Sequence, residues 1–315
     1  MRCFTKNYYH TLLIVINKSN FKKCLYFRQM VQIEDDHLVA RINEKGAELQ
    51  SIKLDGREYL WQGDPAYWGK HAPVLFPIIG ELKDGKYIFD NKEYHLPRHG
   101  FARDNQFEAK QTSPASATFT LLSNAETLAV YPFEFIFQVQ YEIRQQTLYC
   151  SYIVQNVNER DMYFSVGGHP AFRVPLNDQL QYEDYVLEFN NDTSLKRFLL
   201  QKGLITGNSE TIMLDDKKLQ LKPSLFYKDA IVLKHIKSDK IKLYSDKDSQ
   251  GLKFSFEGFP YFGIWAAKDG PFVCLEPWCG IADTIGHDYE LKNKEGVNQL
   301  AAGAKWERTW SVELF

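Results

Sequence analysis

Three stretches of the chain place a titratable side chain beside residues that break regular structure. In residues 165–175, SVGGHPAFRVP, His169 follows two glycines and precedes a proline, so it is held on a turn. In residues 96–104, LPRHGFARD, His99 lies between Pro97 and Gly100, with Arg98 and Arg103 close by. In residues 272–280, FVCLEPWCG, Glu276 ends a strongly apolar run and is followed by Pro277 and Trp278. A carboxylate there is costly to bury unless it is paired or functional. Beside an aromatic ring its pKa should rise, which makes it a better proton acceptor near neutral pH. An imidazole with an ordinary pKa of about 6.5 changes charge close to neutrality and suits a reversible proton donor.

Each residue also has an ordinary structural reading. A lone histidine more often fills a core or a surface position, and a glutamate before proline often ends a strand. Asp229, in LFYKDAIVLKHI, begins a strand and by itself reads as a turn carboxylate. His71, His95, His235 and His287 have no comparable setting, and His287 is expected to face solvent. Cys274 and Cys279 flank Glu276 without an adjacent base and read as packing residues. Two histidines and a carboxylate on turns suggest a reaction that needs one acid and one base. They also allow a metal site, but none of them stands at close ligand spacing, and no metal is expected.

The elements that must position these groups are strands. Runs such as TFTLL, FEFIFQVQYEI, TLYCSYIVQNV, YVLEF, IVLKHI, IKLYS, LKFSFEGF, FGIWAA, FVCLEPW and RTWSVELF are rich in β-branched and aromatic residues. Turn residues separate them. In FEFIFQVQYEI, Phe133, Phe135, Phe137, Val139 and Tyr141 alternate onto one face. No helical period runs beyond two turns, and no repeat or linker is evident. The chain is therefore expected to be all-β, one large antiparallel β-sandwich over residues 30–315. Residues 1–29 are basic, contain no acidic residue and hold two of the five cysteines. They are expected to be a leader outside the fold, with a short targeting segment as the alternative.

Composition narrows the function. Of 315 residues, 44% are hydrophobic and 25% charged, an ordinary globular balance with material for a sizeable core. A net charge of −2 makes no electrostatic case for nucleic acid or an anionic membrane as partner. Five irregularly spaced cysteines argue against a disulfide framework and suit a reducing, cytoplasmic setting. The apolar run LLIVI is too short to span a membrane. Phosphate-loop, dinucleotide, nucleophile-elbow, HExxH and EF-hand signatures are absent.

Five motifs in order, APVLFPIIGELKDGKY, LPRHGFARDNQFE, SVGGHPAF, LFYKDAIVL and GIWAAKDGPFVCLEPWCGIADT, resemble the galactose mutarotase-like, or aldose 1-epimerase, superfamily and most of all its LacX-type branch. The resemblance covers residues 30–315. It implies a β-supersandwich with a cleft on the concave face of one sheet. It also implies interconversion of the α and β anomers of a hexose, without cofactor or metal. Glu276 would be the general base, His169 the general acid, His99 an assisting sugar ligand and Asp229 a binder of sugar hydroxyls. Relatives often carry an arginine before the first histidine motif, where this chain has Glu81; Lys83 is the candidate substitute. Trp278, Phe101, Trp265 and Tyr261 are candidates to line the cleft against the apolar face of a sugar. Arg98, Arg103, Arg173 and Lys83 leave a hexose 6-phosphate as the alternative substrate. A non-catalytic carbohydrate-binding protein is the alternative of another class, and a glycoside hydrolase built on Asp229 and Glu276 would leave both histidines without a role. The expected partner is a small sugar, with the chain a monomer or homodimer.

Overall fold

The computed structural model describes residues 30–315. The expected leader, residues 1–29, lies outside the described residues. Two large antiparallel sheets face each other. The nine-stranded sheet runs in the order Lys218–Gln220, Val186–Phe189, Lys240–Tyr244, Gly251–Ser255, Lys305–Leu314, Thr147–Asn156, Phe135–Arg144, Ser116–Leu122 and Glu108–Ser113. The eight-stranded sheet runs Leu204–Met213, Ser194–Gln201, Ile231–Lys234, Tyr261–Trp265, Phe272–Cys279, Val166–Gly168 and Val74–Leu75. Its eighth strand, Ala171–Arg173, also pairs with Phe272–Cys279. The expected antiparallel β-sandwich is the architecture found. The one α-helix among the described residues, Ala125–Val130, is a six-residue connector capped by Asn124. No helix among them is long and apolar enough to cross a membrane.

Alternation builds the core. In the strand Phe135–Arg144, residues Phe135, Phe137, Val139 and Tyr141 are buried while Ile136, Gln138, Gln140 and Glu142 are partly exposed. The two sheets then interlock through aromatic rings. Phe137 stacks on Phe76 with centroids 4.4 Å apart, and Phe254 meets Phe172 at 5.9 Å and Phe262 at 6.1 Å.

Two features bear on the cleft. The first is the hairpin Ser194–Gln201 and Leu204–Met213, which the sequence reading passed over. Its two-residue connection, Lys202–Gly203, has φ of 51° and 81°, both in the left-handed region that a type I′ turn requires. The second is the support under the GGHP turn. Trp310 Nε1 donates to the Tyr152 hydroxyl at 2.9 Å, and a Cβ on Gly168 would lie 2.5 Å from that hydroxyl. Glycine at 168 therefore lets the turn sit directly on a buried polar pair.

That close approach is testable by chemical denaturation. Gly168→Ala is expected to cost about 1–3 kcal/mol through overpacking. Tyr152→Phe removes the obstructing oxygen, so it should cost less in the Gly168→Ala background than in the wild type. Equal costs in the two backgrounds would show that the hydroxyl is not what the new methyl meets.

Candidate active site

The strand Phe272–Cys279 carries the centre of the site. Glu276 lies in the middle of this fully buried strand, not at its end as the sequence suggested. Side chains 274, 276 and 278 share a face because strand side chains alternate. Their neighbours make room for them. Gly263 pairs with Glu276 across the ladder, and a Cβ on Gly263 would strike the Trp278 ring at 2.5 Å. On the other side Gly167 pairs with Trp278, and a Cβ there would come within 2.9 Å of the indole. Two glycines thus bracket one tryptophan so that its ring can form a wall of the cleft.

The GGHP turn delivers the partner of Glu276. Val166–Gly168 and Ala171–Arg173 both pair with Phe272–Cys279, and residues 169 and 170 leave the ladder between them. The turn is anchored from His169 N–H to the Pro73 carbonyl at 3.0 Å and from Leu275 N–H to the Pro170 carbonyl at 3.1 Å. His169 Nε2 consequently sits 3.3 Å from Glu276 Oε2, with Trp68 stacked on the imidazole at 4.9 Å. Glu276 is 2% exposed. Among the described residues, Glu276 Oε2, His169 Nδ1 and Trp278 Nε1 are buried with no well-aligned hydrogen-bond partner. Such groups in a cleft are ready for a polar ligand.

His99 approaches from a second direction. Its φ is 67° and that of Gly100 is 71°, so two successive residues are left-handed. A Cβ on Gly100 would lie 2.4 Å from the Phe76 carbonyl oxygen, so residue 100 tolerates only glycine. The turn is docked by His99 N–H on the Gly80 carbonyl at 2.9 Å, and Gly80 N–H returns a bond to His99 Nδ1 at 3.1 Å. With Nδ1 accepting, the proton of neutral His99 is on Nε2.

Burial controls the charges. It pushes the Glu276 carboxyl well above the ordinary carboxylate range, and the nearby charge of Asp229 adds to the rise. The Trp278 indole and the charge of Arg98 oppose it, the indole being too poorly aligned for a strict hydrogen bond. Burial pushes His169 down to about 3, helped by the charges of Arg103 and Arg98. His99 is also held well below its usual value, by burial first and then by His169 and the two arginines. The expectation of an imidazole titrating at about 6.5 therefore fails, because the ring is largely withdrawn from solvent, its side chain 12% exposed. The pair instead holds one proton, as carboxyl with imidazole or as carboxylate with imidazolium.

A cavity of about 360 Å³ opens onto this pair. Glu276, His169, His99, Asp229, Arg98, Arg103, Trp278 and Trp265 of the sequence-predicted residues all line it. Asp229 has a φ of 102°, a strained value for an aspartate, and Oδ1 accepts from Ala230 N–H at 2.7 Å. Arg98 is drawn to Glu81 at 2.9 Å and lies against Gly203, where any Cβ would come within 2.2 Å of its guanidinium. Arg103 donates to the Arg98 carbonyl at 2.8 Å and lies 3.6 Å from Asp104.

Other expectations fail. Lys83 is not in the cleft: its ammonium donates to the His287 carbonyl at 2.8 Å and lies over the Tyr289 ring. His287 does not face solvent: its side chain is 7% exposed, 3.8 Å from the buried Asp283. Phe101 packs in the core against Phe76, and Tyr261 packs beneath the cleft beside Gly296. Arg173 pairs with Asp178 away from the cavity.

The sequence reading also missed residues that matter. Arg197, 6% exposed, donates from Nη2 to the Asp229 carbonyl at 2.7 Å and from Nη1 to Glu210 at 3.2 Å. It holds the strained residue in place. Trp68 and the apolar wall of Leu200, Ile205 and Val232 were missed as well. The signal for the wall was present in QKGLI, where Lys-Gly separates two strand-like runs. Cys274 lies under the pair: His169, Cys274 and Glu276 ligand atoms are all within 4.8 Å of one another. Burial, then the Glu276 charge, pushes the Cys274 thiol well up, so it stays protonated and is a poor metal ligand as it stands.

Comparisons with known proteins give a consistent result. The family described as aldose 1-epimerase matches residues 29–285. A LacX protein of Lactococcus lactis subsp. lactis is 35% identical over 281 residues, covering 86% of this chain and 94% of its own. The crystal structure of a galactose mutarotase related enzyme from Lactobacillus acidophilus superposes with a TM-score of 0.87 at 34% identity, over 91% of this chain and 97% of that one. A galactose mutarotase-like protein from Lactobacillus casei gives 0.84 at 33% identity, over 91% of this chain and 100% of that one.

The opposed shifts of Glu276 and His169 set a pH dependence of stability. With ordinary values of 4.5 and 6.5, the unfolded pair holds one proton between those pH values, and so does the folded pair, so the slope there is zero. Below 4.5 the unfolded chain binds a second proton and stability falls as pH falls. Above 6.5 the unfolded pair is empty while the folded pair keeps its proton, and stability falls as pH rises. Denaturation of the wild type and of Glu276→Gln/His169→Gln at stepped pH should therefore give a difference that is flat in the middle and drops on both sides. A difference that rises between pH 4.5 and 6.5 and then stays flat would mean that the folded pair holds no proton, with Glu276 ionised beside a neutral His169.

Proposed function

Because the chain belongs to the aldose 1-epimerase family, we propose that it is a mutarotase that interconverts the α and β anomers of a free hexose by acid–base opening and closure of the pyranose ring. The observation that carries this reading is the Glu276–His169 pair, 3.3 Å apart and buried in a cleft.

The reaction needs one proton removed from the C1 hydroxyl and one delivered to the ring oxygen. In its charge-separated form the pair does both: the Glu276 carboxylate takes the hydroxyl proton and the His169 imidazolium protonates O5. The C1–O5 bond breaks and an open-chain aldehyde forms. After rotation about C1–C2, Glu276 returns its proton to the carbonyl oxygen while His169 recovers the one on O5, and the ring closes on the other face. The pair begins and ends each passage with one proton, so no proton need cross to solvent. His99, with its proton on Nε2, is suited to donate to a sugar oxygen, and Asp229 to accept from a hydroxyl. Each acid–base participant contributes typically about 10²–10⁴-fold.

Charge balance favours an unphosphorylated sugar. Arg98 and Arg103 line the cavity, which speaks for a phosphate, but Glu81 engages Arg98 and Asp104 lies beside Arg103. Polarimetry decides between them: a preference for glucose 6-phosphate over glucose of about tenfold or more would overturn the free-hexose assignment. A protein that binds sugar but leaves optical rotation decaying at the buffer rate would be a binding protein.

Two variants test the roles. Glu276→Gln keeps the shape of the side chain but cannot take a proton, so the accelerated decay should fall by about 10²-fold or more while near-UV circular dichroism is retained. Full activity in this variant would remove Glu276 as the base. Arg197→Gln is expected to raise KM about tenfold with kcat within about twofold, because it loosens a binding residue and spares the proton-transfer pair. An equal effect of Arg197→Gln in an Asp229→Ala background would show that Arg197 does not act through Asp229.

A further inference from the structure

The acid–base pair has a third neighbour that the proposed chemistry does not use. Cys274 stands on the same strand as Glu276 and on the same face of it. One donor atom each from His169, Cys274 and Glu276 lies within 4.8 Å of the other two. Among the described residues this is the one place where three such donors converge. Read from the sequence, Cys274 was a packing residue, and only the assembled turn and strand bring it into this group.

The donors are uncommitted. Glu276 is 2% exposed, yet its Oε2 has no well-aligned hydrogen-bond partner, and His169 Nε2 stands 3.3 Å away out of alignment. A zinc ion held tetrahedrally by a nitrogen and an oxygen at about 2.0–2.1 Å keeps them about 3.4 Å apart. The pair already has that separation. The thiol needs to approach by about 1 Å at most, within reach of a rotation about its Cα–Cβ bond.

A set of nitrogen, sulfur and one carboxylate suits zinc and not magnesium or calcium, which take oxygen ligands. Glu276 and His169 line the cavity, so an ion arriving there meets these two first. Charge balance allows the ion to be buried. Without it, the pair and the thiol together carry no net charge. Coordination makes the thiol a thiolate and leaves the carboxylate ionised and the imidazole neutral. Two protons pass to solvent, one from the thiol and one from the pair. A divalent cation with these ligands is again neutral, and no unpaired charge enters the interior.

We propose that His169, Cys274 and Glu276 form a binding site for a thiophilic divalent cation of the zinc class, and that its binding shuts off the acid–base pair. With the ion in place neither Glu276 nor His169 exchanges a proton with a sugar, and ion and sugar exclude each other. The binding is reversible. A resident zinc histidine donates its other ring N–H to a partner, and His169 Nδ1 has none. The inhibition rests on the mutarotase reading; the binding does not.

Cobalt(II) serves as a coloured probe for zinc. Titrated in buffer without added thiol, the wild type should develop a near-ultraviolet thiolate-to-cobalt band that saturates at one ion per chain, and zinc should abolish it. Cys274→Ala should lose the band, and His169→Gln should weaken cobalt binding by about tenfold or more, with near-UV circular dichroism checking both folds. No band in the wild type, or a band that persists in Cys274→Ala, overturns the site. Should Cys274→Ala not fold, cobalt binding unchanged in His169→Gln overturns it. In polarimetry zinc should inhibit in competition with sugar. Cys274→Ala, its own rate within about twofold of the wild type, should need about tenfold more zinc for the same inhibition. Inhibition unmoved in that variant, or cobalt bound with the rate unchanged, overturns the proposal. Should the protein accelerate no sugar, the mutarotase reading fails and the cobalt band still decides the site.

Discussion

Everything in this fold that bears on chemistry follows from one costly act, the burial of the Glu276 carboxyl in the middle of an apolar strand. A carboxylate removed from water without a compensating charge is destabilised by several kcal/mol or more. The protein does not meet this cost with a lysine or arginine in contact. It places a neutral imidazole at 3.3 Å and lets the pair share one proton. The same dry surroundings that push Glu276 up push His169 down, so a small change in the cleft, such as the arrival of hydroxyl groups, moves the proton from one to the other. An ion pair with arginine would fix the carboxylate in its charged form, whereas the base we propose must both take up and return a proton.

The surroundings can be understood as devices that keep this pair dry, close and accessible from one side only. Glycines at 167 and 263 give space to the Trp278 ring, and glycine at 168 seats the histidine turn on the Tyr152–Trp310 pair. Gly80 orients His99 through its Nδ1. The buried Lys294 ammonium reaches Asp283 Oδ1 at 2.5 Å, while Asp283 Oδ2 accepts from Lys83 N–H at 2.9 Å and Asp283 N–H bonds the Glu81 carbonyl at 2.9 Å. That buried pair therefore pins the segment from Gly80 to Lys83 that orients His99 and presents Glu81 to Arg98.

The fold class and most of the predicted residues that line the cleft were legible in the sequence, because both are written in local signals. Period-two alternation identified the strand Phe135–Arg144, and the settings of His169 and His99 between glycine and proline marked them as turn residues. Contacts made over long sequence separations left no such trace. Lys83 stands beside the motif at Glu81, but its ammonium is held by the carbonyl of His287, far along the chain, and over the Tyr289 ring. Arg197 reads as one cation in an amphipathic hairpin, and only the docking of that hairpin beside residue 229 gives it a role. The pKa of His169 was misjudged for the same reason, since burial is a property of the assembled cleft and not of the GGHP motif.

The disposition of charge around the cleft follows from the proton-sharing pair. Two free guanidinium groups beside it would stabilise the carboxylate and oppose the imidazolium, weakening the hold of both members on their shared proton. Glu81 at Arg98 and Asp104 beside Arg103 reduce that field without removing the hydrogen-bond donors. Glu81 stands where a basic residue was expected from the resemblance. In this position it is a counter-charge, and replacing it by a basic residue would place two unbalanced cations beside the imidazole that the proposed reaction requires to carry a proton. On the proposed mechanism, low net charge in the cleft suits the acid–base chemistry itself, and it is the same feature that led us to propose a neutral, hydroxyl-rich ligand over an anionic one.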